Sequence, residues 1–211
     1  MKRVEERARD SGHRALTDDE IHRFFEAAEG VWYYNLFVVM IQTGCRAGEA
    51  CALMYEDVGE EFLSIKRTVT RNEDGNYVIG STAKTKAGVR EIPLNDTIRE
   101  VLADQREFNE KNHMNKDEGD TLYFHNSRGG VTSAHHINET IEVICRDNGI
   151  EPFSTHAFRH TFATRAIESG MMPKTLQDIL GHADINMTMN LYSHVMDETK
   201  IKEMGRVHIS L

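Results

Sequence analysis

Apolar residues recur at helical spacing through the first quarter of the chain and predict three helices. Residues 17–20 form a capping box, in which a threonine N-cap is followed three positions later by a glutamate, and the helix that they start is expected to end at Gly30. Residues 31–43 are apolar nearly all round, so we expect a central buried helix that the next glycine ends. A shorter helix is expected over residues 47–54.

The residues after Gly59 change period and predict strands. Apolar and polar positions alternate with a period of two over residues 62–69, 77–80 and 89–94. An Asp-Gly turn signal separates the first two of these segments. We therefore expect one small three-stranded antiparallel sheet.

Helical spacing returns after the sheet and continues towards the end of the chain. The predicted helices cover residues 96–111, 133–148, 154–169, 173–181, 185–192 and 197–204. Proline in a first turn and glycine just past an end support several of these boundaries. The fold class is therefore mainly α with a small antiparallel β-sheet (α+β), and the charged, aperiodic residues 1–14 predict a linker or leader.

Composition excludes several classes of protein. The 211 residues are 39% hydrophobic, which is enough to bury one large core. The longest apolar run is about half the length of a membrane-spanning helix, and the charged N-terminal segment lacks the apolar stretch of a secretory signal. Cys45, Cys51 and Cys145 cannot all pair and form no CxxC motif, so we expect a cytoplasmic protein without structural disulfides or a thiolate zinc site.

Charge is unevenly distributed along the chain. The formal net charge is −9, which on average argues against a nucleic-acid partner. Residues 16–61 hold two basic and ten acidic side chains, whereas residues 63–95 hold six basic and three acidic ones. Because phosphate contacts are local and salt screens charges beyond about 10 Å, an acidic chain can still present a basic face to DNA. Charge alone therefore neither indicates nor excludes such a partner.

An arginine, a histidine and a tyrosine stand where predicted helices begin or end. Arg46 lies between two glycines, which let a ligand approach the backbone closely, and Glu49 is placed to hold its guanidinium from behind. His182 follows a predicted helix end, and Tyr192 lies ten residues later. Each of these residues alone is typical of a surface charge or a packing residue, and only their order along the chain points to a shared site.

His156 and Arg159 share one face of a predicted helix, with His160 close by. Two histidines four residues apart can bind zinc, but the glutamate of a His-Glu-x-x-His motif is missing. The adjacent His135 and His136 point to different sides of their predicted helix, which weakens them as a chelating pair. We therefore predict no metal site, and a helical metalloprotein is the alternative that bound zinc would support.

Five segments, in order, resemble the motifs of the tyrosine recombinase (phage integrase) family. They are residues 43–49, 84–94, 156–164, 180–182 and 191–195, and together they place the resemblance over residues 15–196. The resemblance implies the catalytic-domain fold of that family. It also implies a site-specific recombinase or integrase of a phage or integrative mobile element, which cleaves and rejoins DNA through a 3′-phosphotyrosine intermediate.

The resemblance further implies how the site residues act. Arg46 and Arg159 stabilise the negative charge that develops on the non-bridging oxygens of the attacked phosphate. Tyr192 is the nucleophile, and His156 accepts its proton, because a phenol with a pKa of about 10 is rarely ionised at neutral pH. Lys84 protonates the departing 5′ oxygen.

Further residues complete the expected site. His182 hydrogen-bonds the phosphate or steadies the nucleophile, and His160 supports its helix rather than the reaction. Lys86 remains an alternative to Lys84 as the general acid. Otherwise Lys86 and Arg90 contact backbone phosphates of the DNA or solvate the hairpin.

The expected partners and cofactors follow from the same resemblance. The partner is double-stranded DNA, on which four subunits assemble, with a monomer in isolation. Residues 197–211 form a tail helix that docks on a neighbouring subunit or packs on its own. Because the phosphotyrosyl link keeps the energy of the broken bond and protein cations stabilise the charge, we expect no metal and no nucleotide cofactor.

Two features leave alternatives open. The resemblance begins at about residue 15, without the N-terminal core-binding domain of the family, so we expect a fragment of a longer integrase. A type IB topoisomerase would use similar chemistry to relax supercoils, and a catalytically silent DNA-binding module would keep the fold without the reaction. The contexts of residues 180–182 and 191–194 favour a recombinase.

Overall fold

The computed structural model describes residues 14–81, 89–114 and 121–192. Lys84, Lys86 and the predicted tail of residues 197–211 lie outside the described residues, as does nearly all of the predicted leader. The site is therefore built below from the described ranges alone.

Short helices surround two small ladders of strands. The helices are α1 Asp18–Ala27, α2 Tyr34–Thr43, α3 Ala47–Cys51, α4 Asp96–Lys111, α5 Ala134–Asp147, α6 Thr155–Glu168, α7 Pro173–Leu180 and α8, residues 185–192. The strands are β1 Phe62–Ile65, β2 Arg67–Arg71, β3 Tyr77–Ser81 and β4 Arg90–Pro93.

Capping residues set several helix ends as predicted. Thr17 Oγ1 accepts a hydrogen bond from the Glu20 amide, and the Glu20 carboxylate accepts one from the Thr17 amide, so the capping box is confirmed. α2 and α7 both end at glycines in the left-handed region, Gly44 with φ 63° and Gly181 with φ 67°. These two ends matter because two candidate site residues, Arg46 and His182, follow them within two residues.

Tertiary pairing shortens one predicted helix. α3 ends at Cys51 rather than at residue 54, and α2 begins three residues later than expected. Met54 is extended, with φ −113° and ψ 159°, and forms an antiparallel bridge with Leu122, while the Leu53 carbonyl accepts a hydrogen bond from the Tyr123 amide at 2.9 Å. Pairing with a distant segment therefore ends the helix where local spacing predicts that it continues.

The fold class is confirmed, but the predicted single sheet is divided. β1 pairs with β4 and β2 pairs with β3, both antiparallel, so the described strands form two two-stranded sheets. The predicted first strand, residues 62–69, is interrupted at Lys66. Its first half buries alternate residues in the core, whereas β2 lies on α3. Gly48 permits this approach, because a Cβ there would lie 2.7 Å from Thr68 Oγ1.

The core is organised around α2, which packs against α4 and α6. Phe24 lies at its centre, with its ring 5.0–5.6 Å from the rings of Phe37, Phe153 and Phe158 in edge-to-face contacts. A second group of buried residues, the satellite cluster, joins α6, α7 and α8. Its members are Ala163, Ala166, Ile167, Leu176, Leu180 and Tyr192.

The structure also bears on membrane spans and disulfides, which the composition argued against. Within the described ranges, no helix combines the length and the apolar character that crossing a membrane requires. All three cysteines are buried as free thiols.

Replacing Phe24 with alanine tests the aromatic centre of the core. The side chain is fully buried, so Phe24→Ala should lower the free energy of unfolding by about 3–5 kcal/mol, measured by urea denaturation. Val143→Ala, on the exposed face of α5, is the control and should change it by less than about 0.5 kcal/mol. Equal effects of the two variants would contradict the placement of the core.

Candidate active site

The Arg159 guanidinium on α6 joins two helix ends. Its Nη1 donates to the Gly44 carbonyl at 2.8 Å, and its Nη2 donates to the Leu180 carbonyl at 2.8 Å. These carbonyls belong to the C-termini of α2 and α7, where backbone oxygens lack helical partners and carry partial negative charge. A cation there satisfies both ends and holds the residues that follow them close to α6.

Arg46 follows the first of these ends and is held by Glu49. The Glu49 Oε1 accepts a hydrogen bond from Arg46 Nη1 at 3.0 Å, and Oε2 accepts one from the Arg46 amide at 2.8 Å. The Glu49 side chain is only 4% exposed, whereas that of Arg46 is 46% exposed. The predicted support of Arg46 by Glu49 is therefore present, and the arginine remains open to a ligand.

Arg90 occupies a different place from the one expected. Instead of lying on the surface, it is buried and donates Nη1 and Nη2 to the two oxygens of Glu49, at 3.0 and 2.7 Å. Its Nε donates to the Ile179 carbonyl at 2.6 Å. These bonds turn the Arg90 guanidinium into the protein, so this placement favours neither the predicted contact with DNA phosphates nor the alternative of an arginine that solvates the hairpin.

Burial and cations together set the ionisation of this group. Burial opposes ionisation of Glu49, but the hydrogen bonds and charge of Arg90 outweigh it and hold the Glu49 pKa below its usual range. Burial, with the like charges of Arg46 and Arg90, lowers the pKa of Arg159 to about 9. The described part of the site thus concentrates positive charge that an anion would neutralise.

His182 follows the second helix end and is nearly buried. Its Nδ1 lies 2.9 Å from the hydroxyl of Thr188 on α8, and the Gln177 side-chain amide donates to its carbonyl at 3.1 Å. Burial, with the charges of Arg159 and Arg46, lowers the His182 pKa to about 4. His182 is therefore a neutral imidazole at neutral pH, and Thr188 occupies one of its two ring nitrogens.

The other two candidate histidines, His156 and His160, lie near the start of α6. The Thr155 amide donates to the Asn138 side chain at 2.9 Å, which ties the first turn of α6 to α5. His156, in that turn, is exposed, and His160 lies one turn further on, half-buried. Among the residues that the structure describes, no group of three or more His, Cys, Asp and Glu side chains is arranged to hold a metal ion.

These side chains line one cleft of about 260 Å³. The described residues around it are Arg46, His156, Arg159, His160, Ala163, Leu180, His182, Met187 and Leu191. Three separate stretches of sequence meet there, and no described residue of the lining is a carboxylate. The cleft therefore offers several hydrogen-bond donors and a net positive charge to an anionic group.

Tyr192 lies outside this lining. Its ring is buried in the satellite cluster, and its hydroxyl donates to the Met171 carbonyl. Burial raises the Tyr192 pKa above its ordinary value. Along α8, Met187 and Leu191 face the cleft, and the 3.6-residue turn directs the next residue about 100° away from them. The predicted nucleophile is thus adjacent to the cleft in sequence but turned away from it.

Two contacts of the site were not predicted from the sequence. Thr188 carries no motif of its own that links it to His182. Arg90 is different, because it stands two residues before the buried Ile92 in a strand and so shares its inward face. Strand alternation was therefore a usable signal that Arg90 is buried.

Titration of His182 tests its surroundings. In the folded chain its imidazole should stay neutral down to about pH 4, whereas the unfolded chain gains the proton below about 6.5. Proton uptake then favours unfolding, so this residue should remove up to about 3 kcal/mol of stability as the pH falls from 6.5 to 4. A histidine-selective NMR titration, assigned with His182→Gln, measures the midpoint. A midpoint near 6.5 would contradict the assignment.

Comparison with known proteins shows the family of the chain. The chain matches the phage integrase family over residues 14–199. The tyrosine recombinase XerC-like protein of Caldanaerobacter subterraneus subsp. tengcongensis is 29% identical over 200 residues, covering 88% of this chain and 51% of that protein. The transposase from transposon Tn916 of Enterococcus faecalis is 29% identical over 187 residues, covering 83% of this chain and 45% of that protein.

Solved structures agree with the sequence comparison. The Tn1549 transposon integrase in complex with transposon right end DNA superposes with a TM-score of 0.79 at 27% identity, over 92% of this chain and 65% of that one. The chain spans about half the length of the curated relatives described above. The resemblance carried by the five motifs is confirmed: the chain belongs to the phage integrase family of tyrosine recombinases.

Proposed function

We propose that this chain is the catalytic domain of a site-specific DNA recombinase, the integrase of a mobile element, which cleaves and rejoins strands through a 3′-phosphotyrosyl intermediate. The observation that carries the proposal is the meeting of Arg46, Arg159 and His182 around one cleft without a carboxylate in its described lining. That arrangement suits the non-bridging oxygens of a phosphodiester.

The two arginines supply the charge that the reaction needs. Attack on the phosphodiester builds negative charge on its non-bridging oxygens, and a guanidinium donates hydrogen bonds to them without losing its own charge. Arg159 is already fixed by two backbone carbonyls, and Arg46 by Glu49. Donors that are in place before the reaction stabilise the transition state without reorganisation, each by about 10²–10³ in rate.

The proton inventory of the proposed reaction balances. The Tyr192 oxygen forms a bond to phosphorus and loses its proton to His156, while the bond from phosphorus to the 5′ oxygen breaks. The departing 5′ oxygen takes a proton from Lys84. Rejoining is the reverse sequence, with a 5′ hydroxyl as the nucleophile and Tyr192 as the leaving group, so no external energy source is required.

The resting position of Tyr192 adds a step to this reaction. At neutral pH an ordinary phenol carries a deficit of about 4 kcal/mol towards ionisation, and burial in the satellite cluster enlarges it. The phenol therefore has to leave the Met171 carbonyl and enter the positively charged cleft before attack. A rotation of α8 that turns residue 192 to the side now occupied by Leu191 accomplishes this.

The proposed partners follow from this chemistry and from the relatives. Double-stranded DNA is the proposed substrate, and the Tn1549 integrase, which this chain resembles, is solved in complex with transposon right end DNA. The similarity to the Tn916 transposase supports a mobile element as its source. Each chain carries one nucleophile and exchange between two duplexes breaks four strands, so the proposed assembly is a tetramer on DNA.

A nicked suicide duplex tests the nucleophile. On a duplex that carries the element's recombination site, the wild-type chain should form a protein–DNA adduct that resists denaturant, because release of the short nicked strand prevents rejoining. Tyr192→Phe should abolish the adduct, and Tyr34→Phe, a control on α2, should retain it. The readout is the shifted band on a denaturing gel, and an adduct that persists in Tyr192→Phe would end the proposal.

Sulfur substitution at the leaving group identifies the general acid. A 5′-thiolate leaves without protonation, so a duplex with a bridging 5′ sulfur should restore cleavage to a variant that lacks the acid. Lys84→Ala should lose about 10²–10⁴-fold in cleavage rate on the oxygen substrate and recover on the sulfur substrate. Lys86→Ala is the matched comparison, and rescue of this variant instead would move the assignment to Lys86.

A further inference from the structure

We infer that Arg90 is a positioning residue for the cleavage reaction: its buried guanidinium fixes both the carboxylate that holds Arg46 and the segment that carries His182. The inference rests on the proposed function and deepens it. Arg90 does not touch the substrate in this assignment, and it acts only through its two neighbours.

Arg90 and Arg46 share the carboxylate of Glu49. Glu49 Oε1 accepts from Arg46 Nη1 and Arg90 Nη1, both at 3.0 Å, and Oε2 accepts from the Arg46 amide and Arg90 Nη2, at 2.8 and 2.7 Å. Each oxygen thus bonds one arginine on either side. Because Arg90 engages both oxygens, it sets the plane of the carboxylate, and that plane sets the direction of the Arg46 side chain.

Arg90 also contacts the end of α7. Arg90 Nε donates to the Ile179 carbonyl at 2.6 Å, and the side chain fills the space beside Gly181. A Cβ at position 181 would lie 2.9 Å from Arg90 Cδ and 3.1 Å from its Nε. His182 is the next residue, so the same guanidinium that orients Glu49 also supports the turn from which His182 enters the cleft.

Charge gives Arg90 a second effect on the cleft. The Arg90 side chain is 6% exposed and that of Arg46 is 46% exposed, so only Arg46 of the two can reach a ligand. Together Arg46, Glu49 and Arg90 carry one net positive charge. Without Arg90, the carboxylate would neutralise Arg46 and draw it inward, which would remove the charge that a phosphate needs.

Arg90→Gln tests the inference with the chain and the nicked duplex used above. The cleavage rate at saturating DNA should fall about 10- to 100-fold, since a positioning residue acts through its neighbours rather than directly. The dissociation constant for DNA should change by less than about threefold, because Arg90 does not face the ligand and Arg46 supplies only one of the many phosphate contacts that hold DNA. Arg90→Lys, which keeps the charge but cannot span both carboxylate oxygens, should give a smaller loss.

A methylphosphonate at the scissile position separates positioning from general structure. The methyl group removes one charged oxygen, so the reaction demands less of Arg46. If Arg90 acts through Arg46, the ratio of wild-type to Arg90→Gln rates should be at least about fivefold smaller on the methylphosphonate than on the phosphate. A loss of structure alone would reduce both rates by the same factor.

Arg67→Gln is the matched control. Arg67 also pairs with a buried carboxylate, that of Asp57 at 3.1 Å, but the pair lies outside the cleft lining. Removing it should lower the unfolding midpoint while leaving the cleavage rate and the methylphosphonate ratio unchanged. An Arg67→Gln that reproduced the Arg90→Gln effects would assign them to stability and overturn the inference.

The remaining outcomes are equally decisive. A folded Arg90→Gln that cleaves at the wild-type rate, an equal loss on both substrates, or a weakening of DNA binding with an unchanged rate would each overturn it. Failure of both Arg90→Gln and Arg90→Lys to fold would show a structural role and would overturn it too. Failure of the proposed function is distinguishable, since the wild-type chain would then form no Tyr192-dependent adduct.

Discussion

A cation placed between two helix C-termini is the constraint on which the site depends. Arg159 binds the last carbonyls of α2 and α7, at Gly44 and Leu180. Arg46 and His182 each stand two residues after one of these carbonyls. A residue so close to a fixed carbonyl has little freedom to move away, so one side chain on α6 brings together parts of the chain separated by more than a hundred residues. The left-handed glycines make this possible, since each turns the backbone sharply at the helix end.

Placing Arg46, Arg90 and Arg159 close together is electrostatically unfavourable in the absence of an anion. The fold offsets only part of this repulsion. Helix-end carbonyls face Arg159 and a single carboxylate serves both Arg46 and Arg90, yet the Arg159 pKa still falls to about 9 through burial and like charge. An anion in the cleft would relieve this repulsion. Relief grows with the charge on the anion, so a transition state with more negative charge than its ground state benefits most.

Much of the fold could be predicted from the sequence, because the signals that begin and end helices are local. The capping box at Thr17 and Glu20 and the terminal glycines of α2 and α7 act within a few residues, and the structure has them where they were expected. The division of the predicted sheet was not foreseeable in the same way. It depends on the packing of β2 against α3, which no pattern within residues 62–69 reports.

In the candidate site too, the sequence predicted some features, whereas tertiary packing determines others. The order of motifs was enough to bring Arg46, Arg159 and His182 together. The alternation of β4 indicates that Arg90 is buried, whereas its place in a hairpin is also typical of a DNA contact. The orientation of Tyr192 depends on long-range packing in the satellite cluster, and that is a property of the tertiary structure alone.

The burial of Tyr192 against α6 and α7 has a consequence for the chain when it is not bound to DNA. Its hydroxyl donates a hydrogen bond to the Met171 carbonyl, and its ring is shielded from solvent. On the proposed function, soluble phosphate esters, acylating agents and oxidants in the medium would therefore meet a chain whose nucleophile is buried outside the cleft. In the proposed reaction, Tyr192 would therefore react only after α8 has been repositioned.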